Sequence, residues 1–231
     1  IYVKGGGNME LHAGHHHVVQ WMGISFNMDT LYMTWLVMAI IIVVTLLATR
    51  SRAMVPQGIQ NVMEGVLEGL TGQFKTNLGN QWKFLSSILF TYFLFILVSN
   101  ELGLIPSPHI LASPTNDINT TLGLAISSSI LVWIVGLKVK GIGYFKHFVQ
   151  PFKLFIIINL MEEIAKPVTL AFRLFGNILA GEILLELLYA LVPYVLPIVW
   201  LAFSLAIGII QAFIFAMLVT SYLGMTIGDG H

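Results

Sequence analysis

The segment 31–49 (LYMTWLVMAIIIVVTLLAT) is an unbroken apolar run closed by Arg50 and Arg52. About 20 such residues in a helix cross the ~30 Å hydrocarbon core of a bilayer. Further apolar runs occupy 84–105, 118–137, 154–192 and 197–225. Five segments of this kind restrict the chain to a polytopic membrane protein, and the composition agrees. Of 231 residues, 57% are hydrophobic and 10% charged, with a mean hydropathy of +0.86, outside the range of soluble domains. The expected fold class is therefore all-α: five transmembrane helices plus one amphipathic interfacial helix, the last two spans forming a long tilted hairpin.

The interfacial helix is expected after Pro56, where Ile59, Val62, Met63, Val66, Leu67 and Leu70 recur at helical spacing opposite Gln60, Glu64, Glu68 and Gln73. Such a segment lies along the membrane surface or against neighbouring helices. Residues 1–30 are expected to form an external tail and 31–231 a single membrane domain. His12, His15, His16 and His17 have a spacing that suits a divalent cation, but nothing else in that segment would fix a coordination geometry, so a solvated tail is expected. Residues 1–8 precede Met9 and are expected to be upstream of the native start. No cleavable secretory signal is expected, because the basic-then-apolar pattern before a small-residue cut site is missing.

Several classes fall away. A formal net charge of zero leaves no basic face for a nucleic-acid partner. The absence of cysteine excludes disulfides and thiolate metal sites. An intramembrane hydrolase lacks a Ser-His or metal pair on facing spans.

The most informative stretch is Asn159 to Val192 (NLMEEIAKPVTLAFRLFGNILAGEILLELLYALV), long enough to span yet carrying Glu162, Glu163, Lys166, Arg173, Glu182 and Glu186. A charge at the bilayer centre costs at least about 2.5–3.5 kcal/mol, so these charges need pairing or a function. On a helix, Arg173 lies within roughly 20° of Lys166 and Glu162 and about 40° of Asn177. Thr169, Gly176 and Ala180 on the same side would let another helix approach closely. Glu182 falls about 180° around and some 13 Å further along, with Glu186 one turn beyond, giving a second polar track. Lys166 stands three or four residues from Glu163 and Glu162, so an internal ion pair is one reading and a channel lining another. No acid lies three or four residues from Arg173. Its counter-charge is therefore expected from outside its own helix, including from another subunit. On the last span, Ser204, Gly208 and Gln211 share a stripe, and in an antiparallel hairpin Gln211 would fall level with Arg173.

Phe172 to Glu182 (FRLFGNILAGE) resembles the a-subunit family of the rotary F-type ATP synthase, of the bacterial type. The likeness extends through SNELGLIPS (99–107), SPTNDINTTL (113–122), KVKGIGYF (138–145), QPF (150–152), KPVTLAFRLFGNILAGE (166–182) and IIQAFIFAML (209–218). The resemblance implies a non-catalytic stator subunit without a cofactor, providing two half-channels that pass protons or Na⁺ to and from the carboxylates of a c-subunit ring. Arg173 would face those carboxylates, with Asn177, Glu182 and Gln211 at polar channel positions. Glu162, Glu163, Lys166, Glu186, Ser204 and Asp117 are secondary channel candidates. Some members carry a histidine where this chain has Ser204, which would leave proton handling to Glu182, with Glu186 and water as helpers. The implied partners are the c ring, the b-subunit peripheral stalk, the rest of the synthase and the lipid bilayer. The expected location is the cell inner membrane. The competing reading is a secondary transporter with an Arg/Glu substrate site, although no second copy of the RLFGN segment marks an inverted repeat.

Overall fold

The computed structural model describes residues 18–21, 24–50, 58–105, 113–144, 155–192 and 195–228. Six α-helices carry the fold: α1 Met28–Arg50, α2 Ile59–Leu78, α3 Trp82–Gly103, α4 Ile118–Lys140, α5 Ile156–Leu191 and α6 Val195–Gly228. Five helical segments are long and apolar enough to cross a membrane, with α2 and α3 counted as one continuous stretch. The all-α multi-pass expectation therefore holds. Before α1, β1 (Val18–Trp21) pairs antiparallel with β2 (Ile24–Asn27); β-branched and aromatic residues dominate both strands. The histidine cluster at 12–17 lies outside the described residues.

The core sits where α3 and α6 meet. Leu85, Leu89, Phe93 and Ile96 of α3 recur every three or four residues and are buried against Ala212, Phe215, Ala216, Val219 and Leu223 of α6. Because lipid is as apolar as leucine, dispersion and close packing stabilise this seam more than any exclusion from water. Removing most of a side chain there leaves unfilled space, so Phe215→Ala is expected to cost about 3–5 kcal/mol, read as a lower melting temperature of the detergent-solubilised complex.

Helix α2 buries Leu70, Phe74 and Leu78, while Ile59 and Val62 stay exposed at its start. Its apolar face is thus wider than the strip covered by protein, as suits a helix lying partly against lipid. Helix α5 continues unbroken through Pro167, although a proline inside a helix commonly kinks or breaks it. Proline deprives only the Glu163 carbonyl of its helical partner, and the other turns hold the rod. At about 54 Å, α5 exceeds the hydrocarbon core, so it must tilt or extend beyond it. Only Leu170, Ala171, Leu174 and Ile178 of α5 are buried, a single stripe resting on the bundle. Pro197 falls in the first turn of α6, where its missing N–H would have no partner anyway.

Cross-links fix the polarity. Trp133 of α4 donates to Glu163 of α5, while Asn116, just before α4, donates to Glu182; α4 and α5 therefore run antiparallel. Asn100 near the end of α3 donates to the Gly208 carbonyl of α6, and Asn27 and Thr30 reach Asp117 at the start of α4. One end of the bundle thus gathers the ribbon, Asn100, Asp117 and Glu182. The other gathers Arg50, Lys75, Lys83, Lys138 and Lys140, at or near helix ends.

Candidate functional site

At the ribbon end, α3, α5 and α6 enclose a cavity of about 160 Å³ whose walls include Asn100, Asn177, Glu182, Trp200, Ser204 and Gly208. That is room for several water molecules. Glu182 Oε2 accepts a hydrogen bond from Asn116 Nδ2 at 2.5 Å, so this cavity-lining acid is held by the short 3₁₀ turn Pro114–Asn116 that precedes α4. That turn is itself anchored: Thr115 donates to Asn100 Oδ1 at 2.9 Å, and Ser113 donates to the Ser99 carbonyl at 2.9 Å. Asn100 completes the link by donating to the Gly208 carbonyl at 3.2 Å. The α3 and α6 backbones approach closely here because position 208 has no side chain. A Cβ on Gly208 would lie 2.9 Å from Glu101 Oε1 and 3.3 Å from Asn100 Cβ.

Arg173 stands at the middle of α5 and is exposed. Among the described residues it forms no ion pair. Its surroundings on that face are open: Thr169 and Ala180 are exposed, and a Cβ on Gly176 would meet no atom within 4 Å. Phe172 beside it is 56% exposed, so a lone guanidinium projects among apolar side chains. Two contacts set the level of α6 against α5, Trp200 Nε1 to the Gly181 carbonyl at 3.1 Å and Lys166 Nζ over the Tyr222 ring at 5.7 Å. Equal rises carried from these rungs bracket the level of Arg173 between Gly208 and Phe215, with Gln211 inside the bracket. Gln211 is buried, and its Nε2 has no hydrogen-bond partner among the described residues. Asn177 lines the cavity only one turn from Arg173. The cavity therefore begins beside Glu182 and ends about one turn short of the arginine.

The remaining candidates divide. Lys166 pairs with Glu163 Oε2 at 3.1 Å and Glu162 Oε1 at 3.4 Å, so the internal ion-pair reading holds for these three; Glu162 remains mostly exposed. Ser204 lines the cavity, whereas Glu186, half-buried one turn beyond Glu182, does not. Asp117 lies at the ribbon end of the bundle. It is the N-cap of α4 and accepts from the Asn119 backbone at 2.9 Å, from Asn27 at 2.6 Å and from Thr30 at 3.0 Å. Loss of a cap costs about 0.5–2 kcal/mol, and stranding buried donors adds about 1–3. Asp117→Ala is therefore expected to lower the melting temperature of the detergent-solubilised protein by several degrees.

Asn116, Thr115, Asn100 and Glu101 were not picked out as site residues from the sequence. Their signal was present in SNELGLIPS and SPTNDINTTL, two polar stretches bordering a proline-rich connection, but it carries meaning only once α3, α5 and α6 are assembled.

Taken together, five helical segments long and apolar enough to cross a membrane define an all-α multi-pass membrane protein, with a cavity at one end of the bundle and an exposed cation at mid-helix on α5. Residues 31–224 match the family described as ATP synthase A chain, and the chain belongs to that family. It is similar to ATP synthase subunit a of Desulforamulus reducens, 42% identical over 87% of this chain and 80% of the relative. It is also similar to the chloroplastic ATP synthase subunit a of Stigeoclonium helveticum, at 39% identity over 96% of this chain and 94% of the relative. It is accordingly a subunit of the membrane sector of the F-type ATP synthase.

Proposed function

We propose that this subunit is the ion-conducting stator of the synthase, passing ions to and from carboxylates on a rotating ring of c subunits. The observation that carries this is Arg173. A cation at mid-helix, exposed on its own subunit and without a counter-ion among the described residues, is costly in lipid unless a partner supplies the negative charge. The small-residue face around it admits a neighbouring helix at close range. The cavity from Glu182 to Asn177 is one access route, ending beside Arg173. The second route would leave along the Glu162 side of α5, where Lys166 and its acids lie toward the other end. An ion entering one route meets the guanidinium and must transfer to a ring carboxylate instead of passing straight through.

The basic helix ends set the sidedness. With Arg50, Lys75, Lys83, Lys138 and Lys140 gathered at one end, the positive-inside rule makes that end cytoplasmic. The ribbon and Glu182 then face outward, and the peripheral stalk and soluble head would attach from the cytoplasmic side. A reporter fused after His231 is expected to be cytoplasmic and a tag before Met9 external. Both on one side would require a different number of crossings.

Reconstitution separates a stator from a transporter. Vesicles holding this chain alone, or the ring alone, should not conduct protons or Na⁺ under an imposed potential, whereas the two together should. Solute-dependent flux through this chain alone would favour a transporter and contradict the proposal.

A further inference from the structure

We infer that Glu101 of α3 is a second ion-handling carboxylate of the cavity, exchanging protons with its water beside Gly208. The inference rests on the cavity being a conducting route. Helix α6 contributes no acid, histidine, lysine or arginine anywhere between Val195 and Gly228. Among the described residues, α3 and α5 are the cavity-forming helices that carry carboxylates. On α5 the carboxylate at the cavity is Glu182, already engaged by Asn116, with Glu186 one turn further out. On α3, Asn100, Gly103 and Leu104 line the cavity on either side of Glu101, and Asn100 is tied down by Thr115 and Gly208.

Glu101 differs from these neighbours. Its Oε1 is sequestered and has no hydrogen-bond partner among the described residues, yet it lies 2.9 Å from where a Cβ on Gly208 would stand, and Gly208 is part of the cavity wall. A buried acceptor left without a partner costs about 1–3 kcal/mol. Water in an adjoining polar cavity would remove that cost. A proton delivered along such water passes to the Glu101 carboxylate, giving a neutral acid. It leaves again to the next water toward Asn177 and Gln211, restoring the carboxylate. Only O–H bonds form and break. Gly208 matters because any larger residue would push the Glu101 carboxyl out of this position. Glu101 thus sits about two turns of α6 beyond the level of the ribbon-side Trp200, further along the route than the cavity mouth.

The test uses the whole synthase in proteoliposomes, with rates normalised to assembled complex. Glu101→Gln should slow ATP synthesis by about a hundredfold, the low end of what a positioned proton-transfer group contributes. The solvent deuterium isotope effect should rise as proton entry becomes limiting, and Glu101→Asp should recover most of the rate. Because the chain has no cysteine, Glu101→Cys adds a single thiol. A membrane-impermeant cationic methanethiosulfonate added from the Glu182 side should label it and stop pumping. Wild-type rates in Glu101→Gln, or equal loss of assembly in both Gln and Asp variants, would overturn the inference. Glu182→Gln run in parallel keeps the two ideas apart. Slowing there without slowing in Glu101→Gln removes Glu101 alone, whereas no slowing in either removes the cavity as the conducting route.

Discussion

Replacing Arg173 with alanine is expected to abolish ATP-driven ion pumping and to open a passive leak through the assembled membrane sector. On the proposed mechanism the guanidinium separates two aqueous routes by its fixed charge. At ~6 Å and an effective dielectric of about 20, two like charges repel by about 3 kcal/mol, roughly a hundredfold in population. Each charge crossing 100 mV releases about 2.3 kcal/mol, so a barrier of that height is comparable with the force it restrains. Arg173→Lys should keep much of the barrier but couple poorly. Lysine is a compact point charge whose proton is more easily lost when buried, whereas arginine stays protonated and presents a planar fork. The bland alternative, that Arg173 only helps the subunit fold, fits poorly with an exposed side chain that forms no ion pair among the described residues. Flux into vesicles holding equal amounts of assembled complex measures the effect. Normal pumping by the alanine variant would exclude the barrier role.

The second large effect is expected at Glu182. It is the acid whose side chain lines the cavity, and Asn116 holds one of its oxygens. Glu182→Gln keeps the shape and removes the exchangeable carboxyl proton, so synthesis should slow by about a hundredfold, as for loss of a positioned proton-transfer group. Assembly should be unchanged. Asn116→Ala should act in the same direction but more weakly, because the carboxyl would remain and lose only its orientation. Unchanged rates in Glu182→Gln across a range of pH would refute the assignment.

Much of this was legible in the chain because membranes impose simple rules. The five spans follow from the length of apolar runs, and helix ends moved by only a few residues. The Lys166 pair follows from three- and four-residue spacing on one helix. The outward face of Arg173 follows from the absence of an acid at that spacing together with Thr169, Gly176 and Ala180 beside it. What the chain could not show needs several helices at once. Asp117, a secondary channel candidate in the sequence, accepts hydrogen bonds from Asn27, Thr30 and Asn119 at the start of α4, contacts that only the assembled bundle shows. Asn116 meets Glu182 across 66 positions of sequence, and no periodicity reports such a contact. Pro167 was a reasonable place for a break, yet one missing hydrogen bond does not overcome the turns on either side. The cavity depends on Gly208 meeting Asn100 and Glu101, and a glycine within an apolar span is as often a packing residue as the wall of a polar space.

The claim on which the rest depends is that the Arg173 face meets the c ring, and disulfide trapping tests it directly. With no native cysteine in this chain, one can be placed at Thr169 or Gly176, flanking Arg173, and another beside the ring carboxylate of the c subunit. Oxidation of the assembled complex should link both positions to the ring, while Leu46→Cys on the exposed side of α1 should remain unlinked. Linking through Leu46 with none through Thr169 or Gly176 would place the ring against a different face and contradict the proposed mechanism.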